Sequence, residues 1–581
     1  MRFSDLDDYS LSASELSLAS RRIHPLAKRQ ALSTIDIKWA EQVKRICRYL
    51  LADVPNRLHF VRALTVSRHA FNARFGDIEA GNFSTVHFLA DVLERAPNLK
   101  SLRLEAAGRL FEAQPRVAAA ICRMSWLLDV ELRDLTSASF EVVGRLSCMP
   151  RRLSLHGFDT GSELACHDGT PLLSAPVLRS VRSLQLVKLR IANQLVHSAD
   201  SSNSSLPTKQ WPEVTELKVE RSNVSVATLI RAFPAVKTIQ FQDIEDWVQR
   251  NTPGSASWVS LDHAYGTSLD FSQWEMAGKV RWLMVDWVCN STNARRTLPT
   301  IQRTSPVILS LRRLPVVLDT DFWPEFIRSA PNVRYLDLTL SSSESMAEVR
   351  RNWTGETLSA LSRLPLVALH LCRRRWDNVI AQGIGEDQVI GSGLQFFRWR
   401  SAAYNLAVDI ADKITSLSVI SVGEGVQVTD EGIPGTRLCG PALWWRVVAS
   451  DELSSITLKG EREEHMRQNE DSRSCDEEDS ASNEEIDGPE DEESDGKDQI
   501  PELGSESSST QDEDESEYNL TSAEMLGTNA SRRLVPISRD LGEHIHAYLV
   551  SSEFTETSAF DDELFERLSR TVVPRGVRSE P

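Results

Sequence analysis

Apolar residues along this chain keep returning to one six-residue spacing, apolar-x-x-apolar-x-apolar. It is present at Val61-x-x-Leu64-x-Val66, Leu99-x-x-Leu102-x-Leu104, Leu127-x-x-Val130-x-Leu132, Val181-x-x-Leu184-x-Leu186 and Val214-x-x-Leu217-x-Val219. It continues at Val236-x-x-Ile239-x-Phe241, Val280-x-x-Leu283-x-Val285, Val333-x-x-Leu336-x-Leu338, Ile414-x-x-Leu417-x-Val419 and Leu453-x-x-Ile456-x-Leu458. The second half of each copy alternates, as in Leu102-Arg103-Leu104, which predicts a short strand with one face buried. Prolines stand two residues ahead of four copies, at Pro97, Pro212, Pro234 and Pro331.

Ahead of several copies the spacing becomes that of an amphipathic helix. Val86, Leu89 and Leu93 share one side, with Glu94 and Arg95 on the other. Ser225 is a candidate cap for a helix burying Val226, Leu229, Ile230 and Phe233. Pro324 fits a first helical turn before Phe326 and Ile327. Leu358, Leu361 and Leu364 lead to Pro365, after which the strand arrives one residue early. Each proline ends its helix, because it constrains the residue before it and cannot continue the hydrogen-bond ladder.

Helix, stop, short strand, repeated, predicts an α/β fold: an irregular leucine-rich-repeat-like β/α solenoid. Val214 to Val236 spans 22 residues and Leu99 to Leu127 spans 28, both in the range of such repeats. Other gaps run from 33 to 81 residues, which implies insertions, and the stretch around Gly383, Gly385, Gly391 and Gly393 reads as loop. In such an array the strands line the concave side, and the residues between the buried leucines face outward. Arg103, Glu131, Gln185, Lys218, Gln240 and Asp337 hold those positions and are the candidate partner-binding residues of that face. Their charges are mixed, with no stripe of one sign.

Charge adds a second domain boundary. The chain of 581 residues carries a formal net charge of −18, yet residues 461–518 alone hold 25 acidic and 4 basic residues. The remainder is nearly neutral, which argues against a basic nucleic-acid-binding surface. The acidic stretch has too few apolar residues to offset its ordering entropy, so a disordered linker is predicted over 461–525. Ser474, Ser482, Ser509 and Thr510 each have an acid three residues on, a pattern acidophilic kinases favour. Apolar patterning returns at Leu541, Ile545, Tyr548 and Leu549 and again at Phe560, Leu564, Phe565 and Leu568, predicting two helices within 526–581 that fold back as a cap. The array itself is assigned 46–460 and an N-terminal segment 1–45.

Eight scattered cysteines without a C-x-x-C pair, an acidic N-terminus and no 18-residue apolar run point to a reducing compartment, cytosolic or nuclear, with no membrane span. There is no G-x-x-x-x-G-K-[ST] loop, G-x-G-x-x-G turn, G-x-S-x-G elbow or H-E-x-x-H helix. His544 and His546 alone make a weak metal pair, and the tryptophans, Trp444-Trp445 included, read as filling for unequal repeats. The expectation is a binding protein with no catalytic residues, metal or cofactor.

Residues 10–40 read as two short helices joined near Pro25 and leading into an extended Ile35-Asp36-Ile37, too small to hold a core alone. The run Glu15-Leu-Ser-Leu-Ala-Ser-Arg-Arg-Ile-His-Pro-Leu-Ala-Lys-Arg, followed by Leu32 and Ile35-Asp36-Ile37, resembles the second half of an F-box in fungal F-box/leucine-rich-repeat proteins. Ala96-Pro97-Asn98-Leu99 and Ala330-Pro331-Asn332-Val333 resemble repeat segments of that family. The resemblance implies that Leu16, Leu18, Ile23 and Leu26 are apolar box residues docking a Skp-type adaptor and cullin, while the repeats hold a substrate protein. The family's Leu-Pro-x-Glu first helix has no counterpart here, so the box is partial: either the start lies upstream, or the box is vestigial. A plain helical cap on the first repeat is the competing reading.

Overall fold

The apolar hexads that the structure describes supply short strands, most of them entered through a turn, and the strands meet in one large, mostly parallel sheet of a mixed α/β fold. The computed structural model describes residues 24–71, 81–158, 167–191, 210–244, 257–274, 276, 278–286, 288–341, 345–374, 393–428, 437–439, 442–449 and 532–571. Residues 1–446 with 536–581 form one compact unit, and 447–535 form a second, described only at 447–449 and 532–535. The first unit carries the parallel sheet.

Its strands in chain order are β1 (Thr34–Ile37), β2 (Ala63–Val66), β3 (Ser101–Leu104), β4 (Asp129–Leu135), β5 (Arg152–Gly157), β6 (Ser183–Val187) and β7 (Glu216–Glu220). They continue as β8 (Thr238–Gln242), β9 (Ser260–Thr267), β10 (Lys279–Asp286), β11 (Ile308–Leu314), β12 (Tyr335–Ser341), β13 (Ala368–Arg374) and β14 (Val419–Val428). Every consecutive pair from β1 to β14 is parallel, with the register shifting only late in β4–β5 and β11–β12. Residues 442–446 of the strand Ala442–Ala449 then pair antiparallel with β14. Three short strands, His167–Asp168, Leu189–Ile191 and Asn223–Val224, form a small parallel side sheet.

The two apolar rows of the hexads lie in the core. Leu64, Leu102, Val130, Leu153, Leu184, Leu217, Ile239, Leu283, Leu309, Leu336, Leu369 and Ile420 are all buried. Helices connect the strands and touch one another in sequence: Ala40–Leu51 meets Val86–Arg95, which meets Pro115–Arg123. Ser268–Gln273, Ser291–Thr304, Phe322–Ser329, Glu356–Leu361 and Gly393–Lys413 form a second such chain. Just before the strands, a backbone ladder repeats. The Lys100 and Ser101 N–H groups share the Arg62 carbonyl, Leu128 and Asp129 share Lys100, and Arg151 and Arg152 share Leu128. The same sharing recurs from Arg182 to Val419, so that polar backbone of each turn is satisfied by its neighbour. Two residues past the last buried hexad position, the chain turns through a left-handed residue at Asp134, Lys188, Arg221, Asp243 and Arg313.

Several expectations change in detail. The sheet begins inside the N-terminal segment, because Leu32-x-x-Ile35-x-Ile37 is itself a hexad and its strand β1 pairs with β2. Strands β5 and β11 escaped the pattern because proline holds the first hexad place, in Pro150-x-x-Leu153-x-Leu155 and Pro306-x-x-Leu309-x-Leu311. In β9, Ala264 and Gly266 replace the two large apolar residues, and Phe271 fills the space: a Cβ at Gly266 would lie 3.1 Å from its ring. The copy at Ile414 is shifted by three residues, since Leu417-x-x-Ile420-x-Val422 supplies the strand register and Ile414 closes the preceding helix. Ser225 does precede the helix Val226–Ala232, but its hydroxyl makes no cap bond. The copy at Leu453 and the acidic segment lie outside the described residues.

Candidate functional site

The residues between the two buried rows form a third row on the opposite side of the sheet. The register makes it continuous: Asp36, Thr65, Arg103, Glu131, Ser154, Gln185, Lys218, Gln240, Tyr265, Met284, Ser310, Asp337, His370, Ser421 and Trp444 stand side by side. All six residues proposed from sequence fall in this one row. They share a lateral line although up to 234 positions separate them in the chain, because register converts a repeat position into a place on a face.

Over β3 to β7 the row is polar and partly open, with the Arg103, Glu131 and Lys218 side chains 33%, 25% and 19% exposed. Arg103 bridges Glu105 at 3.0 Å and Glu131 at 3.5 Å; Arg133 bridges Glu131 at 2.6 Å and Glu105 at 3.6 Å. Ser67 Oγ and the Arg68 N–H also donate to Glu105. Burial pushes the Glu105 carboxyl up, but the Arg68 N–H, Arg103 and Arg133 outweigh it and hold the acid below its ordinary value. Burial and then Arg133 and Arg103 push His156 down to about 3, so it is neutral at pH 7 and shares a hydrogen bond with Ser154, which donates to Gln185. Lys218 pairs with Glu220 at 2.6 Å. The charges are thus interleaved and self-paired: a surface suited to a partner with its own alternating charges rather than to a polyanion.

From β10 onward the same face is covered. The row two residues upstream reads Thr34, Ala63, Ser101, Asp129, Arg152, Ser183, Glu216 and Thr238 over the first eight strands, then His263, Trp282, Ile308, Tyr335, Ala368 and Val419. On that apolar half sits the chain's own C-terminal segment, helices Arg539–Val550 and Asp562–Thr571. Ile545, Leu549, Phe554, Leu564 and Leu568 form one cluster with Ile308, Tyr335, Ala368, Val419 and Trp444. Arg281 donates to the carbonyls of Ser551 (2.6 Å) and Val550 (3.1 Å), a cation at a helix C-terminus. Arg334 donates to the Glu556 and Ser558 carbonyls, and Arg446 pairs with Asp562 and lies over the Phe565 ring.

This half buries a polar cluster. Asp337 accepts from Ser310 (2.9 Å) and Arg312 (2.8 Å), and His370 Nδ1 lies 3.1 Å from its other oxygen. Burial alone would raise that acid, but Arg312 and His370 hold it well below the carboxylate range. Tyr335 Oη lies 2.6 Å from His546 Nδ1; burial raises the phenol, so it keeps its proton and donates to a neutral imidazole. Asp337, His370 and Ser421 follow one another as acid, imidazole and hydroxyl, yet Ser421 Oγ has no hydrogen-bond partner, so the link a nucleophilic relay needs is not formed.

Asp337 therefore corrects its assignment: it lies in the expected row but is fully buried and paired with Arg312, and is no part of an open surface. Gln240 is also buried, at 7% exposure. Arg103, Glu131, Gln185 and Lys218 remain on the open half. Leu16, Leu18 and Ile23 lie outside the described residues, and Leu26 falls in the helix His24–Ser33. Trp282 and Trp444 do not fill gaps between repeats; they face the C-terminal segment. Pattern reading missed Arg281, Arg334 and the apolar outer row. The signal was there: Ile308-Leu309-Ser310-Leu311 and Tyr335-Leu336-Asp337-Leu338 lack the alternation of a half-exposed strand, as strands covered on both faces do. No helix among the described residues is long and apolar enough to cross a membrane, and none of their His, Cys, Asp and Glu side chains group to hold a metal. No family model and no curated protein sequence matches this chain.

Proposed function

We propose that this chain is a non-catalytic protein-binding receptor: a leucine-rich-repeat-like solenoid that grips a partner on the open, polar half of its sheet. One observation carries the reading, the lateral alignment of Arg103, Glu131, Ser154, Gln185 and Lys218 on adjacent parallel strands. Five side chains fixed on a rigid sheet can meet a partner simultaneously, with little further entropy to lose. By the resemblance of residues 10–40, the receptor would be an F-box adaptor presenting its partner, through a Skp-type adaptor and cullin, to a ubiquitin ligase.

A second reading has its own support. Leu32, Ile35 and Ile37, part of the box-like run, serve as the first hexad of the sheet. That favours a leucine-rich-repeat scaffold whose box is vestigial, with no ubiquitin-ligase role. Affinity capture on the tagged full chain tests both. Recovery of a Skp-type adaptor and cullin, lost in Leu18→Asp and Leu26→Asp, supports the adaptor. Their absence, with other partners kept, supports the scaffold. If Arg103→Glu combined with Lys218→Glu leaves every captured partner unchanged, the open half is not the gripping face.

A further inference from the structure

The covered half of the sheet has the chemistry of a docking site with its occupant in place. Its outer row is aromatic and aliphatic where the open half is polar, and the change falls at His263 and Trp282, where the C-terminal segment begins to touch. Helix Arg539–Val550 lays Ile545 and Leu549, one turn apart, on Ile308, Tyr335, Ala368 and Val419, and Phe554 follows five residues on. Gly542, one turn before His546, lets the helix backbone close on an indole: a Cβ there would stand 2.2 Å from Trp444 Cγ. The two helices are 12 and 10 residues long, short enough to need the sheet for their stability. Residues 450–531 lie between the strand that ends at Ala449 and the strand Arg532–Ile537, which pairs with it and leads into the first helix. Beyond that strand the helices meet the sheet as a ligand meets a receptor, through side chains and helix ends.

We propose that this half is a helix-docking site held in cis by residues 536–571, and that a partner helix of the same pattern takes it over. That pattern is a small residue, then Ile and Leu one turn apart, then an aromatic. The inference deepens the receptor reading and rests on it: the resident segment sets how much of the face a partner reaches.

The test uses the full chain with a specific protease site inserted after Gly504, and a fluorescently labelled synthetic peptide of residues 536–571. After cleavage, the C-terminal fragment should leave the folded remainder on dilution and exchange with excess labelled peptide. Uncleaved chain should bind the peptide at least about tenfold more weakly, because its own segment competes at high effective concentration. Gly542→Leu in the uncleaved chain should restore peptide binding, and Gly542→Leu in the peptide should abolish it. Arg281→Gln and Arg334→Gln remove the carbonyl clamps from resident segment and peptide alike, so they should speed loss of the cleaved fragment while leaving peptide binding to the uncleaved chain about unchanged. A fragment that never exchanges, a remainder that unfolds once the fragment leaves, or a peptide indifferent to Gly542→Leu would each overturn the proposal. Arg103 and Lys218 take no part in this exchange, so its failure is separable from failure of the open-half reading.

Discussion

Acidification should loosen the C-terminal segment, and His546 sets the size of the effect. Burial, then His370, push its imidazole from 6.5 to about 4; Asp337 pulls the other way, with smaller contributions from Arg312 downward and Glu543 upward. The docked state therefore binds fewer protons than the released one. Docking is at full strength above pH 6.5, weakens as pH falls through 6.5, and levels off below about 4. With those two values the loss at pH 5 is about 2 kcal/mol, or thirtyfold in the docking constant. The assay is hydrogen exchange of the amides in Arg539–Val550, corrected for intrinsic rate, at pH 7.5 and pH 5. In His546→Asn the amide oxygen can still accept from Tyr335 Oη, but the titrating group is gone, so most of the pH dependence should vanish. Equal pH dependence in both proteins, or none in the wild type, would refute the reasoning.

Burial sets three further outcomes. Leu338→Ala empties a fully buried place between helices and sheet and should cost about 2–5 kcal/mol in urea unfolding; less than 1 would mean the site collapses freely. Asp337→Asn leaves Arg312 without its buried counter-charge and should cost about 3 kcal/mol, whereas Glu131→Gln on the open half should cost under about 1 kcal/mol. Parity between those two would show that the halves differ less than their burial says. Arg281→Gln removes two charge-assisted bonds to helix-end carbonyls and should weaken protection of Arg539–Val550 by about 1–3 kcal/mol while leaving Val86–Arg95 unchanged.

Where the strands fall, and which way their side chains point, is legible in the order of residues alone. A six-residue apolar rhythm with a proline stop permits only a short helix-to-strand unit, and period two then assigns Arg103, Glu131, Gln185 and Lys218 to the face away from the core. The same rhythm misplaces units where a substitution is compensated elsewhere, as when Phe271 fills the room left by Gly266, because a pattern records one side of a contact and not the other. Which part of the outer face is open emerges only on packing. It depends on His546 meeting Tyr335, 211 positions away, and on Arg281 reaching Ser551 across 270. Local preference carries no information over such separations. The apolar outer row and the C-terminal helices each announce a need for cover, and only the folded chain shows that each is the other's.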